Sequence, residues 1–224
     1  MKTVKLLFAG IMATAMLLSG CARMNKTQKG AVIGTAGGAA TGAVIGRAAG
    51  NTALGAIIGA TVGGVAGAVI GKQMDKQAEE LKKELPDAGV ERFGEGIILE
   101  LSDKVLFDFN KADLTAASKQ SLDKIIDIFN KYPDTNIEIQ GHTDSKGSME
   151  YNQNLSVQRA SSVSGYLTQH NIPSSRLAIR GFGEGAPKYT NDTEEGRAQN
   201  RRVEFLIYAN DKMKAEAQKE AEKQ

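Results

Sequence analysis

The sequence of 224 residues contains no Trp, one Cys and two His, and only 5% of its residues are aromatic. A single Cys excludes a disulfide within the chain, and two His leave little material for a metal cluster. The formal net charge is only +2, which argues against a dedicated nucleic-acid-binding protein. Residues 1–71 contain six basic residues and no acidic one. We therefore expect at least two physically different parts in the chain.

The first twenty residues have the pattern of an export signal. Lys2 and Lys5 precede an uncharged stretch at 6–18, which is shorter than the roughly 20 residues that a membrane-spanning helix needs. The motif Leu18-Ser19-Gly20-Cys21 comes next and resembles the bacterial lipobox. This resemblance implies that residues 1–20 are removed and that Cys21 is acylated for insertion into outer-membrane lipid. The alternative is an ordinary signal peptide followed by a chance Cys.

Glycine recurs at every fourth position from Gly30 to Gly50 and again from Gly55 to Gly71. Residues four apart share one helix face, so each half would carry a bare stripe along which helix backbones approach closely. The pattern resembles the glycine-zipper double-span segment of bacterial envelope proteins. It predicts a helical hairpin over 30–71 that self-associates. The alternative is a flexible Gly/Ala linker, and Arg47 argues against full insertion into a membrane.

The rest of the chain predicts a spacer helix and an α/β domain. Met74, Ala78, Leu81 and Leu85 would form one apolar seam of a helix that ends at Pro86. Apolar spacing then predicts a helix capped by Thr115, a second helix over 151–170, and strands between them. The segments that we expect to form or end strands are Ile97–Leu101, Val105–Phe109, Leu177–Phe182 and the alternating positions 203, 205 and 207. Asn136–Gln140 also alternates, with Ile137 and Ile139 on one face, which predicts a half-buried strand.

Four motifs follow these elements in order. They are GHTDSKG at 141–147, YNQNLSVQRA at 151–160, GFGE at 181–184 and GRAQNRRVE at 196–204. Together they resemble the OmpA-like peptidoglycan-binding domain, which also occurs in Pal lipoproteins and flagellar MotB. The resemblance spans residues 96–208 and implies a two-layer α/β (α+β) fold of βαβαβ-β type. The predicted segments are a signal peptide (1–20), a lipidated linker (21–29), the zipper hairpin (30–71), a spacer helix (72–86), the OmpA-like domain (87–210) and a charged tail without function (211–224).

The resemblance also implies a binding site for diaminopimelate in the peptidoglycan stem peptide. Asp144 would bind its ammonium and Arg159 its carboxylate, which suits a guanidinium because it can bind bidentately. Two alternatives stay open: that Asp144 caps the second helix or a turn, and that Arg159 pairs with a nearby acid. For Arg197 and Arg201, pairing with Asp144 or Glu204 is as plausible as ligand binding. The additional candidates are Asp108, Phe109, Asn110, Thr143, Asn154, Leu155, Arg197 and Arg201.

These features predict a non-enzymatic tether that links the outer membrane to peptidoglycan, with its C-terminal domain in the periplasm and no cofactor. One alternative is a membrane-assembly or pore-type oligomer driven by the zipper, in which wall binding is secondary. Another is a wall-active hydrolase. No Ser/His/Asp or Cys/His set can be assembled from the sequence, which argues against the hydrolase.

Overall fold

A computed structural model describes residues 64–108 and 111–223 of the chain. The predictions for the signal peptide, Cys21, the zipper up to residue 63, Phe109 and Asn110 therefore fall outside the described residues. The described part contains a mixed α/β domain, which confirms the predicted fold class.

One sheet of five strands organises this domain. Its spatial order is β1-β2-β5-β3-β4, in which β3 and β4 pair in parallel and all other neighbours are antiparallel. Strand β1 was not predicted, because its sequence is mostly polar and it occupies an edge of the sheet. The strands are β1 Gly89–Phe93, β2 Gly96–Ser102, β3 Thr135–His142, β4 Leu177–Gly183 and β5 Arg202–Ala209.

Six helices accompany the sheet within the described residues. Thr115 caps α3 as predicted, since its side chain accepts a hydrogen bond of 3.1 Å from the Ser118 backbone N–H. None of these helices is long and apolar enough to cross a membrane. The helices are α1 Gly64–Glu84, α2 Asp103–Leu106, α3 Ala116–Lys131, α4 Met149–Gln169, α5 Glu194–Asn200 and α6 Asp211–Ala221, with a short 3-10 helix at Ser174–Arg176.

The hydrophobic core lies between the helices and one face of the sheet. Phe205 of β5 contacts Phe129 of α3, and their ring centroids are 6.2 Å apart. Ile137 and Ile139 of β3 and Val163 of α4 are fully buried in the same cluster. Each such side chain contributes about 1.5–3 kcal/mol of stability by leaving water. The apolar spacing that predicts α3 and α4 and the alternation that predicts β3 and β5 therefore mark buried side chains, as expected.

Helix α1 is part of this core. Its predicted seam of Met74, Ala78 and Leu81 is buried, and so is Ile70, which lies one turn earlier within the zipper. The helix runs without a break through residue 71, where the sequence analysis places the end of the zipper. Helix α6 packs beside it and buries Met213 in the same cluster. The folded unit therefore includes residues on both sides of the range 87–210.

Two local expectations were wrong. The run Val105–Phe109 does not continue as a strand, because 103–106 form one helical turn and Phe107 makes only a single β-bridge to Leu114. Leu106 and Phe107 are both buried, whereas a strand would turn adjacent side chains to opposite faces. Strand β3 is not half-buried as expected, since Glu138 and Gln140 on its second face are also buried.

Candidate functional site

The loop after β3 is held close to helix α4 at both of its ends. A Cβ added at Gly141 would lie only 2.1 Å from the Ser156 carbonyl oxygen, so the strand needs glycine to pass the helix. At the other end, the Ser148 side chain accepts a hydrogen bond of 3.2 Å from the Tyr151 backbone N–H and begins α4. This geometry places Asp144 on the loop beside Arg159, which projects from the third turn of the helix.

A small cleft opens at this position. It brings together five of the predicted site residues, namely Thr143, Asp144, Leu155, Arg159 and Arg201. Five further residues complete the lining: Asp103, Lys146, Tyr151, Asn152 and Glu194.

Three other predicted residues do not line the cleft. Asp108 is exposed and its carboxylate pairs with Lys111 at 3.2 Å, while Asn154 is exposed on α4. Arg197 bonds instead to Glu194 and to the carbonyl oxygen of Asn191.

Asp144 is buried, and both of its carboxylate oxygens are in use. Oδ2 accepts from Arg201 Nη1 at 2.5 Å, and Oδ1 accepts from the Lys146 backbone N–H at 2.9 Å. Both structural alternatives for this residue are therefore present, because Asp144 stabilises the turn and pairs with Arg201. Each carboxylate oxygen can accept about two hydrogen bonds, so these contacts leave acceptor positions for a ligand.

Arg159 is almost fully buried, and it pairs with an acid that the sequence analysis did not identify. Its Nη2 lies 3.0 Å from Oδ2 of Asp103, and its Nε donates to the Lys111 carbonyl oxygen at 3.1 Å. The guanidinium carbon also lies 5.2 Å from the centre of the Phe107 ring. Burial lowers the pKa of Arg159, and the charge of Asp103 opposes that shift. Burial likewise raises the pKa of Asp103 against the opposing effect of Arg159.

Glu194, in the first turn of α5, forms the outer wall of the cleft. Hydrogen bonds from Arg197, Lys146 and Arg201 lower the pKa of Glu194 to about 2. Helix α5 was not predicted, although Thr193 is followed by two acids, a pattern typical of a capped first turn. No comparable sequence signal marked Asp103.

His142 lies next to the loop but takes no part in the cleft lining. Its ring stacks on that of Phe182, with centroids 5.1 Å apart, and burial lowers the pKa of His142 well below its ordinary value. Among the residues that the structure describes, no group of three His, Cys, Asp or Glu is placed to hold a metal ion.

Comparisons with known proteins agree with the fold. The model of the OmpA family matches residues 106–201, and that of the YMGG-like Gly-zipper matches residues 1–75. The chain is 35% identical over 125 residues to the outer-membrane lipoprotein YfiB of Pseudomonas aeruginosa, covering 56% of this chain and 74% of YfiB. It is 39% identical over 118 residues to the probable lipoprotein YiaD of Escherichia coli (strain K12), covering 53% of this chain and only 54% of YiaD.

Solved structures show the same architecture. A MotB-like protein from Desulfovibrio vulgaris aligns with a TM-score of 0.58 and 26% identity, over 63% of this chain and 94% of the other. The cell wall anchor of the T6SS from Pseudomonas aeruginosa aligns with a TM-score of 0.54 and 27% identity, over 58% and 97%. The fold, the loop after β3 and the cleft define a single-sheet α/β domain with a charged cleft. The chain belongs to the OmpA family, which confirms the predicted resemblance.

Proposed function

We propose that this protein is a non-enzymatic tether that anchors the outer membrane to peptidoglycan. Support comes from one relative that is named an outer-membrane lipoprotein, from another that is named a probable lipoprotein, and from a structural neighbour that is named a cell wall anchor. The observation that carries the proposal is the cleft, where Asp144 and Arg159 face the same space.

The charge balance of the cleft favours a zwitterionic ligand. Its lining contains three carboxylates and three cations: Asp103, Asp144, Glu194, Lys146, Arg159 and Arg201. A ligand of zero net charge enters such a cleft without leaving an uncompensated buried charge. The side-chain end of diaminopimelate carries an ammonium and a carboxylate on one carbon. Asp144 would accept from the ammonium and Arg159 would donate to the carboxylate, each bond contributing about 1.5–3 kcal/mol where water is excluded.

The membrane end of the tether would be an acylated Cys21. A single acyl chain gives only reversible binding, whereas several chains hold a protein stably at about 0.8 kcal/mol per buried CH₂. Arg23, Lys26 and Lys29 would add attraction to anionic headgroups. The C-terminal domain would then lie in the periplasm.

The direct test is co-sedimentation of the full chain, in detergent, with purified peptidoglycan sacculi. We expect binding that a soluble muropeptide with diaminopimelate displaces, whereas one with Lys at that position displaces it poorly because it lacks the carboxylate. An absence of co-sedimentation would contradict the tether. A muropeptide-release assay on the same sample addresses the hydrolase alternative, and we expect no release.

A zipper-driven oligomer is the second candidate function, and the match of residues 1–75 to a Gly-zipper model favours it. Deleting residues 30–63 separates the two functions, because this deletion spares the part of α1 that is buried in the domain core. A tether should still bind sacculi after the deletion. Leu in place of Gly38 and Gly42 should disrupt self-association, while Leu at Val44 should not. Equal tolerance at all three positions would favour a linker.

A further inference from the structure

We propose that Asp103 is the positioning residue that makes Arg159 selective for a carboxylate on the bound ligand, an inference that rests on the proposed function. Asp103 would not be the group that binds the ligand. It would fix the plane of the Arg159 guanidinium so that the free edge of this group meets a planar carboxylate.

Asp103, Phe107 and Lys111 hold Arg159 from several sides. Oδ2 of Asp103 lies 3.0 Å from Nη2, the Lys111 carbonyl oxygen lies 3.1 Å from Nε, and the Phe107 ring covers one face of the group. Among the described residues, these polar contacts of Arg159 involve its Nε and Nη2 atoms. A planar fork that is held at two of its nitrogens presents the third in a fixed direction, which is the condition for recognising a carboxylate by geometry.

Asp103 is itself fixed by its surroundings. Its backbone N–H donates to the Arg201 carbonyl oxygen at 2.8 Å, which connects it to the residue that pairs with Asp144. Its side chain is only 10% exposed, and within the described residues Oδ1 is buried without a hydrogen-bond partner. The other oxygen of this buried carboxylate, Oδ2, forms the ion pair with Arg159. Each of the two side chains restrains the other, and loss of the Asp103 charge should release the guanidinium.

The test compares Asp103→Asn with the wild-type full chain. Asn keeps the size of the side chain and removes its charge. The probes are two soluble muropeptides with diaminopimelate, one with the side-chain carboxylate free and one with it amidated, and their affinities are measured by calorimetry. We expect the wild type to prefer the free carboxylate by about tenfold or more. In Asp103→Asn this preference should fall to about threefold or less, because only the affinity for the free carboxylate declines.

Other outcomes have distinct meanings. Equal weakening of both probes would show a merely structural role and overturn the proposal, as would an unchanged preference. If the wild type binds sacculi and Asp103→Asn keeps its selectivity, the inference fails while the tether stands. If the wild type binds neither sacculi nor probes, both fail.

Two further variants keep the test interpretable. Asp113→Asn is the matched control, because Asp113 is exposed and lies outside the cleft, and it should retain the wild-type preference. Asp103→Glu keeps the negative charge and should retain most of the selectivity if Asp103→Asn does not fold. A folded Asp103→Glu variant that binds both probes equally would overturn the proposal.

Discussion

Replacing Arg159 by Ala should destabilise the fold as well as abolish binding. From the sequence alone we would expect folding to survive this change, because Arg159 is charged and is not one of the apolar residues that predict the core. The structure instead shows its side chain 3% exposed and paired with Asp103, whose own side chain is 10% exposed. Removing one partner of a buried ion pair costs about 3–5 kcal/mol, because the other charge stays buried without compensation. That is a large fraction of the roughly 5–15 kcal/mol that stabilises a domain.

The pH dependence of this loss has a defined sign. Burial already raises the pKa of Asp103 above its ordinary value of 3.8, and Arg159 opposes that shift. Without Arg159 the pKa should rise further, so the folded variant takes up a proton at a pH where the unfolded chain does not. An acid with a raised pKa costs stability as pH rises through that pKa. The loss in free energy of unfolding caused by Arg159→Ala should therefore be largest at neutral pH and should shrink as the pH is lowered toward 4.

Urea unfolding at several pH values provides the assay. The chain has no Trp, so the signal would be near-UV circular dichroism of its five Tyr together with far-UV helicity. The decisive comparison is the double variant Asp103→Asn/Arg159→Ala, in which both charges of this buried pair are removed. It should recover about 2 kcal/mol relative to Arg159→Ala alone. A single variant that loses under 1 kcal/mol, or a double variant less stable than the single, would refute this reasoning.

The remaining predictions concern the loop, the anchor and the strand–helix contact. Asp144→Ala should weaken sacculus binding by roughly 2–5 kcal/mol yet remain folded, because Arg201 keeps its pair with Glu194 at 3.2 Å; wild-type binding of the folded variant would remove this residue from the site. Cys21→Ser should leave the precursor unprocessed and absent from the outer-membrane fraction, whereas normal processing would exclude lipidation. Gly141→Ala should destabilise strongly through its clash with the neighbouring helix backbone, whereas Gly165→Ala, with open space around it, should stabilise by about 0.5–1 kcal/mol; equal melting temperatures would contradict the contact.

Much of the fold could be predicted because its elements bury periodic apolar faces. Ile137 and Ile139 alternate, and the seam that begins at Met74 repeats with helical spacing, so each shows its buried side in the sequence. What this periodicity does not reveal is the surface against which a seam packs. The same seam suits a free spacer, a coiled coil or a helix docked on a sheet. Only the structure shows that α1 and α6 share the core of the domain.

The residues of the candidate site could also be predicted only in part. Asp144 and Arg159 could be found because loop and helix stand next to each other in the chain and match a family motif. The pair of Asp144 with Arg201, which lies 57 residues further on, could be given only as an alternative to ligand binding. Asp103 could not be found, because it lies between two expected strands and far along the chain from Arg159. A single sequence reveals which charges a motif supplies, but the folded chain decides which of them neutralise one another.

The ion pairs of Asp144 with Arg201 and of Arg159 with Asp103 would determine which ligand charges the cleft accepts. If Asp144 and Arg159 had no other partners, the site would bind any ammonium or any carboxylate through one strong contact. Because Arg201 and Asp103 already pair with them, a ligand bearing only one charge would leave a net buried charge, which is costly in a sheltered cleft. A ligand with both charges on one carbon leaves the balance at zero. In the proposed function, selectivity for a zwitterion would therefore require the two ion pairs together, and neither of the motif residues would provide it alone.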